Sequence, residues 1–129
     1  EEMKMINETH KILHKPELPV TATCVRIPVL FGHGESLNIE LDTEFEIGDI
    51  KELFAETKNV EVIDIPAEEK YPLQIDTENN DNVLVGRIRR DNSLENGLNL
   101  WLTANNLRKG AALNAVQIAE YLSKNDLIK

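Results

Sequence analysis

The chain has 129 residues, the size of one domain, and its 41% hydrophobic content is enough to build a core, which argues against a disordered protein. Its 14 Lys and Arg stand against 23 Asp and Glu, and the formal net charge of −9 argues against binding to nucleic acid or to an anionic membrane. A single cysteine excludes an internal disulfide and a two-cysteine zinc site. With no signal segment and no apolar stretch long enough to span a bilayer, we expect a soluble, cytoplasmic protein.

A polar segment with a thin apolar stripe opens the chain. Met5, Ile12 and Leu13 recur at helical spacing, and Pro16 and Pro19 end the pattern, so we predict a helix over residues 1–13. Neither an initiator methionine nor a capping residue precedes this helix, and we therefore expect a fragment of a longer protein. A processed or tagged intact domain is the alternative.

Two strands are predicted next, paired as an antiparallel hairpin. Residues 21–29 are rich in β-branched side chains and break near Pro28, which favours the first strand. The Gly-His-Gly sequence at 32–34 is typical of a turn. Leu37, Ile39 and Leu41 alternate with polar residues, which predicts a second strand with one buried and one wet face.

The rest of the chain alternates between helical and strand patterns. Apolar residues at helical spacing predict helices over 47–57 and 107–122, the latter with a broad apolar face. Short apolar runs predict strands at 60–63, 83–90 and 98–104, and the polar run 76–82 predicts an exposed loop. This order favours an α+β fold, with a mainly antiparallel sheet and flanking helices.

Arg26 and His33 are the first candidates for chemistry, because a strand end and a glycine-flanked turn can bring a guanidinium and an imidazole to one rim. Arginine holds a carboxylate through two parallel hydrogen bonds, and histidine titrates near neutrality. A surface arginine and an ordinary turn histidine are the alternative from this pair alone.

Two further pairs share a helix face in the opening segment. Glu1 and Lys4 lie one turn apart, where the one attracts an ammonium and the other a phosphate or carboxylate, although a solvated pair is the alternative. His10 and His14 have the spacing of a two-histidine metal motif. No glutamate follows His10 directly and no third ligand is evident, so we predict no metal site.

Arg87, Arg89 and Arg90 form a basic cluster in an acidic protein, with the first two on one strand face and the third on the other. They either bind an anion or pair across an interface. We favour the interface, because Asp91 and Glu95 supply self-complementary partners, and we expect self-association through the face that bears Arg87 and Arg89.

The chain's single cysteine and single tryptophan both stand in apolar strands. Cys24 has no glycine-rich turn or helix start to lower its pKa, so we predict a core residue rather than a nucleophile. Trp101 is predicted to be a core residue or a subunit contact on the same self-associating face.

Four motifs occur along the chain in a fixed order and spacing. They are EEMK at 1–4 with NET at 7–9, TCVRIPV at 23–29 leading to GH at 32–33, VGRIRRD at 85–91, and NGLNLW at 96–101 continuing to NNLRKGAA at 105–112. Together they resemble bacterial aspartate-semialdehyde dehydrogenases along essentially the whole chain.

The resemblance implies an activity and a fold. The reaction is the NADPH-dependent reductive dephosphorylation of L-aspartyl 4-phosphate to aspartate semialdehyde, through a thioester on a catalytic cysteine, in the biosynthesis of lysine, threonine, methionine and isoleucine. The implied fold is a glyceraldehyde-3-phosphate-dehydrogenase-like carboxy-terminal domain, incomplete here, that forms a homodimer.

The resemblance also implies roles for individual residues. Glu1 corresponds to the residue that holds the substrate amino group, and Lys4 to the lysine that binds phosphate. Arg26 corresponds to the arginine that clamps the substrate α-carboxylate, and His33 to the acid/base histidine. Asn106 lies where the family places a cofactor contact, a position at which some members carry glutamine.

The family's nucleotide-binding domain and its Ser-x-Gly-Cys-like nucleophile segment precede Glu1 and are absent, and Cys24 is not that nucleophile. We therefore expect NADP to bind mainly to the missing amino-terminal domain and the chain alone to be inactive. Residues 1–104 are expected to form part of the substrate-binding and dimerisation domain. Residues 105–129 are expected to form a helix that packs on the missing domain.

Two other interpretations remain open. One is a free-standing anion-binding or regulatory dimerisation module that keeps the pocket of Lys4 and Arg26, and an upstream coding sequence with a glycine-rich loop and a Gly-Cys motif would decide against it. The other is a related acyl-phosphate reductase with a different substrate. Glu1 together with Arg26 suits an α-amino acid and argues against that reading.

Overall fold

The computed structural model describes residues 1–128, and Lys129, the last residue of the predicted 105–129 helix, lies outside them. The chain forms an α+β fold, as predicted. The helices are α1 (Glu2–Leu13), α2 (Ile47–Glu56) and α3 (Leu113–Lys124). The strands are β1 (His33–Glu40), β2 (Val60–Val62), β3 (Val83–Asp91) and β4 (Gly97–Ala104). No helix in this part of the chain is long and apolar enough to cross a membrane.

The four strands form one sheet in the order β1-β4-β3-β2. β4 pairs antiparallel with both β1 and β3, which confirms the mainly antiparallel prediction, while β2 runs parallel to β3. A parallel neighbour requires the chain to cross back between the two strands. The crossing segment carries two 3₁₀ turns, Pro66–Glu68 and Gln74–Thr77.

The core lies on the sheet face that α2 covers. Alternation along β4 sends Leu98, Leu100 and Leu102 to this face, where they meet β3 and the apolar side of α2. The buried members of the cluster are Phe45, Val85, Ile88, Leu98 and Leu100. On the opposite face Ser36 pairs with Trp101 and Asn38 with Asn99. We call this second surface, formed by these four residues, the open face.

The predicted strand at 21–29 and its hairpin are wrong. Residues 21–29 form no regular secondary structure and pair with no strand among residues 1–128, and Val25 and Leu30 are 77% and 93% exposed. β-branched side chains favour extended backbone, but a strand also requires a partner for its backbone hydrogen bonds. This segment runs beside α1, and β1 takes β4 as its neighbour instead.

Two element boundaries also differ from the prediction. The turn comes before His33, because Gly32 has the left-handed φ of 79° and His33 already begins β1. The predicted helix over 107–122 exists, but it starts as a π-helical turn, Arg108–Ala112, before α3 continues.

Candidate functional site

Two carboxylates at the beginning of α1 hold the segment of residues 21–29 against this helix. Arg26 donates from Nη2 to Oε1 of Glu1 at 2.7 Å, and the Cys24 backbone N–H donates to Oε1 of Glu2 at 3.1 Å. The Cys24 hydrogen bond is the main reason that the pKa of Glu2 lies below its usual value. The structure therefore places two of the predicted site residues, Glu1 and Arg26, in direct contact.

Cys24 is only half-buried, so the prediction of a core cysteine is wrong. Its Sγ lies 3.5 Å from Sδ of Met5, which places it against α1 and outside the sheet core. The reason is the same as for the missing strand, since residues 21–29 do not join the sheet.

The remaining candidates on α1 are engaged locally. Lys4 lies one turn from Glu1, and its ammonium is 3.8 Å from a carboxylate oxygen of Glu8, with both side chains largely exposed. His10 Nε2 is 2.8 Å from the Leu18 carbonyl oxygen. His14 ends the helix in a left-handed conformation, with φ of 53°.

His33 and Asn106 are brought together by the turn before β1. His33 is exposed and stands opposite Ala104 in the ladder, next to the end of β4. The backbone N–H of Gly32 donates to Oδ1 of Asn106 at 3.3 Å. Gly32 is required here, because a Cβ would lie 2.6 Å from Oγ1 of Thr77 in a backbone conformation that side chains rarely adopt.

The residue that the sequence analysis missed is Asn105. Its side chain is 3% exposed and donates to the Thr77 carbonyl at 3.0 Å. Its Oδ1 accepts from the backbone N–H groups of Leu107 and Arg108 at 3.0 and 3.1 Å. Asn105 thus ties the end of β4 and the start of the last helix to the crossing segment. Two consecutive asparagines after a predicted strand indicated a polar junction here, but this sequence does not indicate which of the two side-chain amides is buried.

The structure therefore joins the predicted site residues as two pairs, Glu1 with Arg26 and Asn106 with the turn of His33, and puts Lys4 beside the first pair. Among residues 1–128, no side-chain hydrogen bond or ion pair connects one pair to the other.

The arginine cluster divides between the two faces of the sheet, as predicted. Arg90 lies over the Phe45 ring at 4.4 Å and donates to the Phe45 carbonyl, on the α2 side. Arg87 and Arg89 lie with Trp101 on the other side. Trp101 is half-buried, and its Nε1 donates to the Pro72 carbonyl at 3.0 Å.

A mainly antiparallel four-stranded sheet with a helix packed on one face defines the chain as an α+β domain. Sequence comparison gives the family. The chain belongs to the semialdehyde dehydrogenase dimerisation-domain family, whose profile matches residues 1–109.

Similar curated proteins and solved structures agree with this family. The chain is 50% identical to the aspartate-semialdehyde dehydrogenases of Aquifex aeolicus and Bacillus subtilis over 99% of its own length, but it spans only 38% and 37% of theirs. Aspartate-semialdehyde dehydrogenase II of Vibrio cholerae, solved with ASA, superposes on 95% of the chain with a TM-score of 0.80 and 43% identity, over 36% of that chain. The Candida albicans enzyme, solved with NADP, matches 88% of the chain and 36% of its own, with a TM-score of 0.68 at 26% identity.

Proposed function

We propose that this chain is the substrate-binding and dimerising part of an NADP-dependent aspartate-semialdehyde dehydrogenase, which converts L-aspartyl 4-phosphate to L-aspartate 4-semialdehyde. This cytoplasmic reaction would serve lysine, threonine, methionine and isoleucine biosynthesis, and also diaminopimelate. The 50% identity to enzymes of that name supports the proposal. The nucleophilic cysteine and the nucleotide-binding domain would belong to the part of the enzyme that this chain does not span.

The observation that carries the proposal is the Glu1–Arg26 contact of 2.7 Å. The head group of an α-amino acid has an ammonium and a carboxylate on one carbon atom. A carboxylate beside a guanidinium is the charge complement of that head group. Glu1 attracts the ammonium, and Arg26 forms two parallel hydrogen bonds with the carboxylate. Both side chains are exposed, at 64% and 82%, so a ligand can reach them without an opening of the core.

The other site residues take the remaining tasks. His33, exposed at the start of β1, takes the proton from the nucleophilic thiol and returns one to the developing oxyanion. Lys4 binds the phosphate of the acyl phosphate, and its contact with Glu8 at 3.8 Å is loose enough to be exchanged. NADPH, when bound, would supply the hydride for the reduction. Asn106 fits a cofactor contact, because its Oδ1 is used by Gly32 and its amide nitrogen still has donors to offer.

Two surfaces have the character expected for assembly of the whole enzyme. No helix among residues 1–128 covers the open face, and we assign this face to a two-fold partner, in a homodimer. The last helix exposes Val116, Ile118 and Tyr121 at 53%, 52% and 63%. We assign residues 105–129 to contact with the nucleotide-binding domain, because such an apolar face gains stability when another surface covers it.

The test uses two substitutions in a complete enzyme that contains this chain. Arg26→Lys keeps the charge but loses the planar fork, so it should cost on the order of 1.5–3 kcal/mol of substrate binding, measured mostly as a raised KM. His33→Asn should lower kcat by roughly 10²–10⁴-fold with little change in KM. The pH–rate profile should also lose the limb that His33 controls.

Arg108→Lys is the matched control, because Arg108 is also an exposed arginine paired with a carboxylate, Asp81. It should leave both constants within about two-fold of the wild type. A His33→Asn enzyme with kcat within a few-fold of wild type, together with an unchanged KM for Arg26→Lys, would reject these roles.

A further inference from the structure

The segment that carries Arg26 is anchored to the rest of the chain at few points. On its amino-terminal side the Leu18 carbonyl oxygen lies 2.8 Å from a histidine nitrogen of α1, and on its carboxy-terminal side the Gly32 backbone N–H donates to a side-chain amide. Between these two points, among residues 1–128, a single hydrogen bond joins the backbone to another part of the chain, and its donor is the Cys24 N–H. The position of the Arg26 backbone therefore depends on Cys24.

The acceptor of that hydrogen bond is Glu2, the residue next to Glu1 at the beginning of α1. Its Oε1 lies 3.1 Å from the Cys24 nitrogen, and the Cys24 Sγ lies 3.5 Å from Sδ of Met5 on the same helix. The pKa of the Glu2 carboxyl lies below its usual value mainly because of the bond from Cys24. Near neutral pH the side chain is therefore a carboxylate, which accepts a hydrogen bond more strongly than a neutral oxygen does.

This anchor sets what Arg26 can reach. Two residues of chain span at most about 7 Å, so a Cys24 backbone fixed on Glu2 keeps Arg26 near the start of α1, where its guanidinium contacts Glu1 at 2.7 Å. That contact cannot hold the segment by itself, because an ion pair between two exposed side chains is weak. A bound amino acid would also replace it, since the substrate carboxylate and ammonium each take one partner. The hydrogen bond from Cys24 to Glu2 would remain.

We propose that Glu2 is a positioning residue for the substrate: it holds the Cys24 backbone so that Arg26 faces Glu1, and it does not itself touch the substrate. This inference rests on the proposed function, because it takes Arg26 as the group that binds the α-carboxylate. A segment that is not held must be ordered when the ligand binds, and that loss of entropy weakens the complex. The effect therefore belongs to KM and not to kcat.

The test compares two substitutions of Glu2 in a complete enzyme that contains this chain. Glu2→Ala removes the acceptor and should raise the KM for the amino-acid substrate about 5- to 20-fold, with kcat within about 2-fold of the wild type. Glu2→Gln keeps an oxygen that can accept from the Cys24 N–H, so its KM should stay within about 3-fold of the wild type. Rescue by glutamine would not occur if Glu2 acted by attracting the substrate ammonium with its charge.

Asp49→Ala is the matched control. Asp49 is an exposed acidic residue in the first turn of α2, as Glu2 is in the first turn of α1, and each favours its helix through the helix dipole. Asp49→Ala should leave both kinetic constants within about 2-fold of the wild type. Loss of a dipole interaction alone would then not explain the effect of Glu2→Ala.

Hydrogen exchange measured by mass spectrometry reports the anchor directly. In the free enzyme a peptide that contains Cys24 should lose the protection of one amide in Glu2→Ala, because the Cys24 N–H no longer has an acceptor. Glu2→Gln and Asp49→Ala should keep that protection. A double variant then shows whether Glu2 acts through the arginine: with Arg26→Ala already present, adding Glu2→Ala should change KM by less than about 2-fold, because the group that is positioned is gone.

Two results would overturn the inference and leave the proposed function standing. One is an unchanged KM in Glu2→Ala while Arg26→Lys raises KM, which would mean that other parts of the enzyme hold the segment. The other is the full 5- to 20-fold rise when Glu2→Ala is added to Arg26→Ala, which would mean that Glu2 does not act through Arg26. An unchanged KM in Arg26→Lys would instead reject the role of Arg26 itself, and this inference with it.

Discussion

Replacement of Asn105 by alanine should be among the most damaging single changes outside the hydrophobic core. Its side chain donates to the Thr77 carbonyl at 3.0 Å, and Thr77 is 0% exposed, so that carbonyl would keep only the longer hydrogen bond of 3.4 Å from the Asn80 backbone N–H, where water cannot replace the lost donor. Loss of the better donor to a buried acceptor costs about 1–3 kcal/mol. The backbone N–H groups of Leu107 and Arg108 would also lose their acceptor, although water can reach them at the helix start, so each adds about 0.5 kcal/mol. We expect Asn105→Ala to lower the free energy of unfolding by about 2–4 kcal/mol, measured by urea denaturation with an unchanged m-value.

The neighbouring residue Asn106 supplies the matched control. Its side chain makes one hydrogen bond, at 3.3 Å from the Gly32 nitrogen, and it is only half-buried. Asn106→Ala should therefore cost no more than about 1 kcal/mol. If the two alanine variants unfolded at the same urea concentration, the burial and hydrogen bonds of Asn105 would not be the source of its effect, and our reasoning about this residue would fail.

Two further predictions concern the turn and the surface. Gly32→Ala should lower the free energy of unfolding by about 3 kcal/mol in denaturant unfolding, because a Cβ would lie 2.6 Å from Oγ1 of Thr77 at a φ of 79°. Gly48→Ala is the control: a Cβ there would have no neighbour within 4 Å, so this change should be neutral or slightly stabilising. A hydrogen bond from the Arg108 side chain lowers the pKa of Asp81, so their interaction stabilises the fold above about pH 4 and is lost as the pH falls through that lowered pKa. Carboxyl NMR titration should show a higher Asp81 pKa in Arg108→Gln, and an unchanged pKa would contradict this.

Elements with a strong hydrophobic period could be predicted from the sequence. The helix at 47–57 and the strands at 83–90 and 98–104 each correspond to an observed element, because their apolar residues meet in a single core. The segment 21–29 has strand propensity without a strand partner among residues 1–128. Propensity describes one residue at a time, while pairing depends on what lies beside the segment. The same dependence explains the hairpin that does not form.

The candidate site was predicted in a different way. Local patterns singled out Arg26 with His33 and Glu1 with Lys4 but left a structural alternative open for each pair. Their individual roles, and Asn106 as a candidate, came from the resemblance to a family. The contact of Glu1 with Arg26 joins residues 25 positions apart in sequence, across a helix and a turn. Hydrophobic periodicity does not predict a contact between two charged residues so far apart in sequence. The β-bulge of β3 between Gly86 and Arg89 is similarly hidden, because Asp64 accepts a hydrogen bond from the Arg87 backbone N–H, 23 residues away.

Asp64 and Asn105 show why buried polar groups escape a search for apolar periodicity. Asp64 accepts a hydrogen bond from one backbone N–H, at the β-bulge of β3, and Asn105 accepts from two, at the helix start. An apolar side chain at either position could fill the volume, but it would leave those N–H groups without an acceptor. Asp64 therefore holds the backbone of Arg87 in β3, and Asn105 holds the backbone at the start of the last helix. Both local geometries depend on the burial of an aspartate and an asparagine, residue types that composition alone assigns to the surface.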